Sequence, residues 1–364
     1  MAPRTEQELQ AYGVMDPAMV DALARHPVRD PQPSDPYYGD ESHASFRAHR
    51  AATLREKHHL RYVPGPIPDQ VSEEDCTIPV RDGAQIPIRV YRPVAKPADG
   101  RCPLVVMYHE GGWSMGDLTD EETNCRLFSR DLGAVCVNVG YRLAPEYPFP
   151  TWIEDSWDAL KWAAENAASL GADPTRGFVI GGGSAGGNIA AVLAHIARDE
   201  KLNPPLTGQY LCVPAIMCFK PPPLISPSYR AEYLSHPDVT TATDPVLKIQ
   251  CGADFAAHMA GNLKVSWLDP RFVPFLYGAL ENGHRGLPPA YFQVCGLDPL
   301  RDEGLIYERV LREEAGVKTR LDLYKGFGHY FWTNYPLLDK SREFVEDTIK
   351  GVQWLLEQKP VASS

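Results

Sequence analysis

Phe178-Val179-Ile180-Gly181-Gly182-Gly183-Ser184-Ala185-Gly186-Gly187-Asn188 is the stretch that decides how this chain folds. An apolar run enters a glycine-rich turn, and Gly182-x-Ser184-x-Gly186 sets a serine at its apex. The spacing predicts a sharp strand-to-helix turn that exposes a strained serine. Flanking side chains would collide where strand and helix draw close, so glycine fits. A phosphate-binding loop would end in Gly-Lys-Ser/Thr, and no lysine stands here. An ordinary strand–loop–helix connection could carry the same glycines, so the reading turns on what the rest of the chain supplies.

Outward from this turn, strands alternate with helices. Strand-like runs fall at Cys76–Val80 and Ile86–Tyr91 around an Asp82-Gly83 turn. Further runs follow at Leu104–Tyr108, Ala134–Val139, Gly177–Gly181, Tyr210–Val213, Tyr291–Gly296 and Arg320–Tyr324. Helical patterns fill the intervals at Glu121–Asp131, Glu154–Leu170, Asn188–Asp199, Glu303–Ala315 and Ser341–Glu357. Trp157, Leu160, Ala164 and Ala168 are expected on one face of their helix, and Val345, Ile349, Val352 and Leu356 on one face of the last. Buried strands alternating with helices predict an α/β fold with a mostly parallel sheet covered on both faces, opened by an antiparallel pair.

Two regions break the alternation. Residues 1–70 are polar and proline-rich, with short helical patches at Glu6–Tyr12 and Ala44–His59. From Phe219, beginning with Lys220-Pro-Pro-Pro223, to about Phe275 no strand pattern appears, although Val246–Ala260 reads as helical. A structureless loop of that length is improbable in a compact domain, so 219–275 is expected to be an inserted helical cap. The core is then divided into 71–218 and 276–364.

Composition bounds the function. A formal net charge of -11 supplies no concentrated basic surface, which argues against a nucleic-acid partner. The basic clusters Arg47–Arg50 and Arg55–His59 read as solvated helix faces. The amino terminus lacks the apolar core of a signal peptide, and no run has the length to span a membrane. The cysteines are scattered without C-x-x-C spacing, so all are expected reduced, in a cytoplasmic protein without structural zinc.

A serine hydroxyl needs an imidazole to take its proton and a carboxylate to orient that imidazole. In this architecture the acid follows the serine in the chain and the histidine comes last. Asp298 lies just past the strand Tyr291–Gly296, and His329 just past Arg320–Tyr324, both at carboxyl ends of strands where open sheets build their sites. Asp302 competes for the acid role but reads as the N-cap of the next helix. His236, His258 and His284 also follow the serine, yet none stands directly after a strand. The amide of Ala185, with amides of the loop His109-Glu110-Gly111-Gly112-Trp113, would face a developing oxyanion. His109 itself reads as a loop anchor. Trp113, Tyr330, Phe331 and Trp332 flank these loops and either line an aromatic substrate pocket or pack in the core.

Assembled in this order, the motifs resemble the hormone-sensitive-lipase-like carboxylesterases of the α/β-hydrolase superfamily, and most of all fungal members. The marks are His109–Gly112, Tyr141-Arg-Leu-Ala-Pro-Glu146-Tyr-Pro-Phe-Pro150, Gly182–Asn188, Leu287-Pro-Pro289, Asp298–Glu303 and Gly328-His329. The resemblance implies an α/β-hydrolase fold with Ser184, Asp298 and His329 as catalytic triad and Gly111, Gly112 and Ala185 as oxyanion hole. It also implies a cap built from residues 1–70 together with the insertion, and hydrolysis of short to medium acyl esters with neither metal nor organic cofactor. The expected partner is a small-molecule ester, and a homodimer is allowed. A lactone, thioester, amide or polyketide intermediate would pass through a similar oxyanion, and relatives with a substituted triad act as hormone receptors. Two positions depart from the family pattern. Glu110 replaces a glycine and is expected to point away from the reaction centre. Gly183 stands where many members have aspartate, which either loosens the turn or makes room.

Overall fold

The computed structural model describes residues 4–27, 47, 51, 58–60, 62, 63, 65–218, 225–235, 244 and 259–358. Eight strands form one sheet in the order β1-β2-β4-β3-β5-β6-β7-β8. β1 (Val71–Pro79) and β2 (Gln85–Pro93) form the antiparallel hairpin, with Ile78 opposite Ile86. Its turn closes because Gly83 takes a positive φ of 87 and Asp82 Oδ1 accepts the Ala84 amide at 3.0 Å. β2 also pairs antiparallel with β4 (Val135–Val139). β3 (Leu104–Tyr108), β4, β5 (Phe178–Gly183), β6 (Gly208–Cys212), β7 (Ala290–Cys295) and β8 (Thr319–Tyr324) run parallel.

Among the described residues, eight α-helices of six residues or more surround the sheet: α1 (Glu6–Tyr12), α2 (Pro17–Arg25), α3 (Glu122–Leu132), α4 (Thr151–Glu165), α5 (Ala185–Asp199), α6 (Pro227–Glu232), α7 (Arg301–Arg309) and α8 (Asp339–Leu356). Alternating side chains of β3 divide the core between two faces. Leu104, Val106 and Tyr108 share one cluster with Leu160 of α4, Ile189 of α5 and Leu305 of α7. Val105 and Met107 share the opposite cluster with Phe128 of α3, Phe344 and Val352 of α8, and Met19 of α2. The fold has the mostly parallel α/β sheet expected from the alternating pattern, in the α/β-hydrolase architecture that the resemblance implies.

The helices differ from their expected faces in two places. α4 stops at Glu165 and a separate turn, Ala167–Leu170, follows, which leaves Ala168 exposed. α8 buries Phe344, Thr348, Gly351, Val352 and Leu355, whereas Val345, Ile349 and Leu356 are only half-buried. The reason lies at Gly351: a Cβ there would come within 2.0 Å of the Tyr291 ring, so the helix turns its glycine toward the sheet. About half of 219–275, including all but the last two residues of the expected helix at Val246–Ala260, lies outside the described residues, as does most of the Ala44–His59 patch.

The amino-terminal segment is stitched to the carboxyl ends of β7 and β8. The Asp16 amide donates to Gly326 O at 3.1 Å, and the Gly326 amide to Tyr12 O at 2.9 Å. Seven described cysteines are free; Cys102, Cys125, Cys136, Cys212, Cys218 and Cys295 are buried and Cys76 is half-buried.

Candidate active site

The turn after β5 is as tight as its glycines predict. Ser184 adopts φ 53 and ψ -111, a conformation held in place by its neighbours. Its amide donates to Cys212 O at 2.8 Å, and its carbonyl accepts the amides of Asn188 at 3.0 Å and Ala215 at 3.2 Å. A Cβ on Gly182 would lie 2.2 Å from Tyr108 O, and one on Gly186 1.9 Å from the same oxygen. β3, β5 and α5 can approach this closely only without those side chains. Asn188 ties the start of α5 down by donating to Ala215 O at 2.7 Å and Phe272 O at 2.8 Å.

Asp298 follows β7 and His329 follows β8, and both side chains are buried. Asp298 Oδ1 accepts the Leu300 amide at 2.8 Å, which aims Oδ2 at His329 Nδ1, 2.7 Å away. With Nδ1–H on the carboxylate, the imidazole lone pair resides on Nε2. Burial works against an imidazolium, but the charge and hydrogen bond of Asp298, helped by Asp244 and Glu110, hold the His329 pKa above its ordinary value. Asp244 Oδ2 also accepts the His329 amide at 2.6 Å. No motif flagged Asp244, since its role depends entirely on a contact distant in sequence.

The other candidates lie elsewhere. Asp302 is not an N-cap: it sits inside the first turn of α7, and its carboxylate accepts the amides of Leu234 at 2.7 Å and Ser235 at 2.6 Å. It anchors the segment after α6, because burial beside two amides offers more than a cap exposed to water. His284 is hydrogen-bonded through Nδ1 to His195 Nε2 at 2.9 Å. His236 and His258 lie outside the described residues.

The glycine loop after β3 is braced from below. His109 is buried, stacks on Tyr141 at 4.1 Å between ring centroids, and pairs through Nδ1 with Glu110 O at 2.7 Å. Tyr141 Oη donates to His109 O at 2.8 Å, and the Ala144 amide to Trp113 O at 3.0 Å. Arg142 grips Asp155 through Nε at 2.9 Å and Nη2 at 2.7 Å. The Tyr141–Pro150 string is thus the scaffold of this loop. Arg47 joins it, donating to Ser114 O at 2.7 Å and Ala144 O at 2.6 Å, so it is a docked side chain rather than a solvated one. Gly111 and Gly112 take φ of 120 and 57, and a Cβ on Gly111 would strike Met115 O at 2.3 Å.

The α/β-hydrolase fold family matches residues 105–333. The chain belongs to this family, among the hormone-sensitive-lipase-like carboxylesterases. It is 40% identical over 347 residues to an AB hydrolase superfamily protein of Schizosaccharomyces pombe, covering 95% of each chain. It is 36% identical over 286 residues to the versiconal hemiacetal acetate esterase of Dothistroma septosporum, covering 78% of this chain and 82% of that one. Among solved structures it is similar to vibralactone cyclase, with a TM-score of 0.82, 33% identity and 98% of each chain covered. Among the described residues no helix is long and apolar enough to cross a membrane.

The two departures from the family pattern meet at one place in this hydrolase. A Cβ on Gly183 would lie 1.7 Å from Tyr330 Oη, so the missing side chain makes room for that phenol. Glu110 lines a cavity of about 240 Å³ together with Glu121, Tyr330 and Trp332; Ser184 is not part of its wall. Trp113 is buried against Trp152 and Phe272, at 6.1 and 5.0 Å between ring centroids, and Phe331 is buried with Phe327 and Phe344. Glu121 is a participant that sequence reasoning missed. It opens the expected helix Glu121–Asp131, yet it is buried and its pKa is pushed up to about 8 by burial, with the charge of Glu110 adding to the effect.

Proposed function

We propose that this hydrolase cleaves carboxylic esters of short to medium acyl chain, or of a small natural product, through an acyl-enzyme on Ser184. The observation that carries the reading is the 2.7 Å contact of Asp298 with His329, after β7 and β8 of the same mostly parallel sheet whose β5 leads into a serine held at φ 53. His329 Nε2 takes the Ser184 proton as Oγ attacks the ester carbonyl. Asp298 fixes the tautomer and stabilises the imidazolium. Among the described residues, the amides of Gly111, Gly112 and Ala185 donate to no other backbone group, which suits them to the oxyanion of the tetrahedral intermediate. The intermediate collapses as His329 returns its proton to the departing alkoxide. A water deprotonated by His329 then cleaves the acyl-serine, releasing the acid and restoring the free hydroxyl.

The relative named versiconal hemiacetal acetate esterase supports a small natural product as the ester. Free, buried thiols at six positions fit a reducing cytoplasmic setting. A panel of p-nitrophenyl acetate, butyrate and octanoate tests the assignment, with Ser184→Ala as blank. Turnover should fall by at least about 10³-fold in that variant. An organophosphonate probe should label Ser184 in the parent only. Undiminished hydrolysis by Ser184→Ala would overturn the assignment.

A further inference from the structure

The region between the serine turn and the histidine loop holds a polar cluster that the triad does not use. Tyr330 follows His329 directly and is held at φ 54 and ψ 31, in the left-handed region that side chains rarely adopt. Its phenol lies against Gly183, the residue before Ser184, and shares the lining of one cavity with Glu110 and Glu121. Glu121 accepts the Asn124 side-chain amide at 2.7 Å, and the Gly183 backbone favours its charged form. Glu110, Glu121 and Tyr330 are all buried, from the glycine loop, the edge of α3 and the loop after β8. Three chain segments therefore converge on the residue before the serine and the residue after the histidine.

We propose that Glu110, Glu121 and Tyr330 form a second brace, separate from Asp298, that joins the serine turn to the histidine loop and positions Ser184 against His329. The proposal rests on the catalytic reading above. It also accounts for both departures together: only a glycine at 183 admits the phenol, and only a side chain at 110 brings a carboxylate into the cavity beside it. These are positioning residues; they touch the loops that carry the reacting groups. Burial favours a protonated Glu121, and the pKa of about 8 keeps that proton at neutral pH, so the two carboxyl groups need not both be charged. Glu110 reaches His329 through its charge, which adds to Asp298 and Asp244 in favouring the imidazolium. The other titratable groups facing the cluster are Asp120, Cys212 and, across the cavity, Tyr62 and Arg342.

The test measures kcat, KM and pH profiles with p-nitrophenyl butyrate. Tyr330→Phe keeps the ring and removes the hydroxyl; kcat should fall about ten-fold while KM stays within about two-fold. Glu110→Gln keeps an acceptor and removes the charge, so the acidic limb of kcat/KM should move to lower pH. Gly183→Ala should lower kcat by displacing the phenol, and adding Tyr330→Phe should restore part of the loss. Wild-type kcat in both Tyr330→Phe and Gly183→Ala, with an unmoved acidic limb in Glu110→Gln, would overturn the brace. Ser184→Ala run in parallel separates the two readings: an inactive blank beside unaffected brace variants rejects the brace alone, whereas an active blank rejects the nucleophile.

Discussion

The carboxylate of Asp302 holds the backbone of Ser235 through a 2.6 Å hydrogen bond from its amide. The same carboxylate accepts the Leu234 amide at 2.7 Å and pairs with Arg301 Nε at 2.6 Å, while Ser235 Oγ donates to Pro299 O at 2.8 Å. This knot fastens the segment after α6 to the start of α7, four residues beyond the candidate catalytic acid.

Removing Asp302 should therefore cost stability before it costs chemistry. Asp302→Ala leaves a buried guanidinium and two amides without their acceptor, a loss of roughly 3–5 kcal/mol. Urea unfolding of the variant against the parent measures it. A change within about 0.5 kcal/mol, typical of a surface site, would show the knot to be dispensable.

The dependence on pH follows from His329. Its folded pKa is raised by Asp298, and hydrolysis needs the neutral imidazole, so kcat/KM should fall on the acid side with a midpoint above the ordinary imidazole value. Asp298→Asn removes the charge and disturbs the tautomer, and should lower kcat by about 10⁴-fold. A pH–rate profile of both proteins checks direction and size. A parent midpoint below the ordinary value would contradict the electrostatic account.

A second pH effect concerns stability. Burial pushes the His284 pKa down to about 4 and drives His195 in the same direction, with His284 beside it. Between the ordinary imidazole value and about pH 4 the unfolded chain binds protons that the folded one refuses. Stability is complete above that window and is lost as pH falls through it, by about 3 kcal/mol for His284 at the low end. Unfolding of His284→Gln should be less sensitive to acid than that of the parent over this range. Equal acid sensitivity in the two would refute it.

Gly186 should tolerate no side chain. The 1.9 Å approach to Tyr108 O is backbone on backbone, so Gly186→Ala must push β3 away from the serine turn. Loss of soluble protein, or destabilisation above about 3 kcal/mol, is expected. Gly171→Ala serves as the contrast: its Cβ meets nothing within 4 Å, leaving only the cost of φ 84.

The strands and the order of the site residues were legible because they are local: apolar runs, the glycines at 182 and 186, and an acid and a histidine each directly after a strand. The parts that were not legible depend on distant partners. Asp302 looked like a cap because Leu234 and Ser235, its acceptor's true donors, lie 68 and 67 residues away. Glu121 stood only as the first residue of an expected helix, because nothing local reveals its burial against the residues around the serine turn. The buried face of α8 was misplaced because an apolar count favours Val345 and Ile349, whereas the closest approach to the sheet is made by Gly351. Periodicity locates a helix well; which stripe touches the sheet is decided by the smallest residue.

The free cysteines give the folded chain a built-in clock. Six thiols are shielded by the sheet and its helices, and burial pushes those of Cys102, Cys125, Cys212, Cys218 and Cys295 upward in pKa, so the reactive thiolate is scarce. A water-borne alkylating reagent can reach them only when the structure opens. Since these sulfurs lie on both faces of the sheet, three of them on β4, β6 and β7, the order in which they become modified would record which parts of the fold part company first.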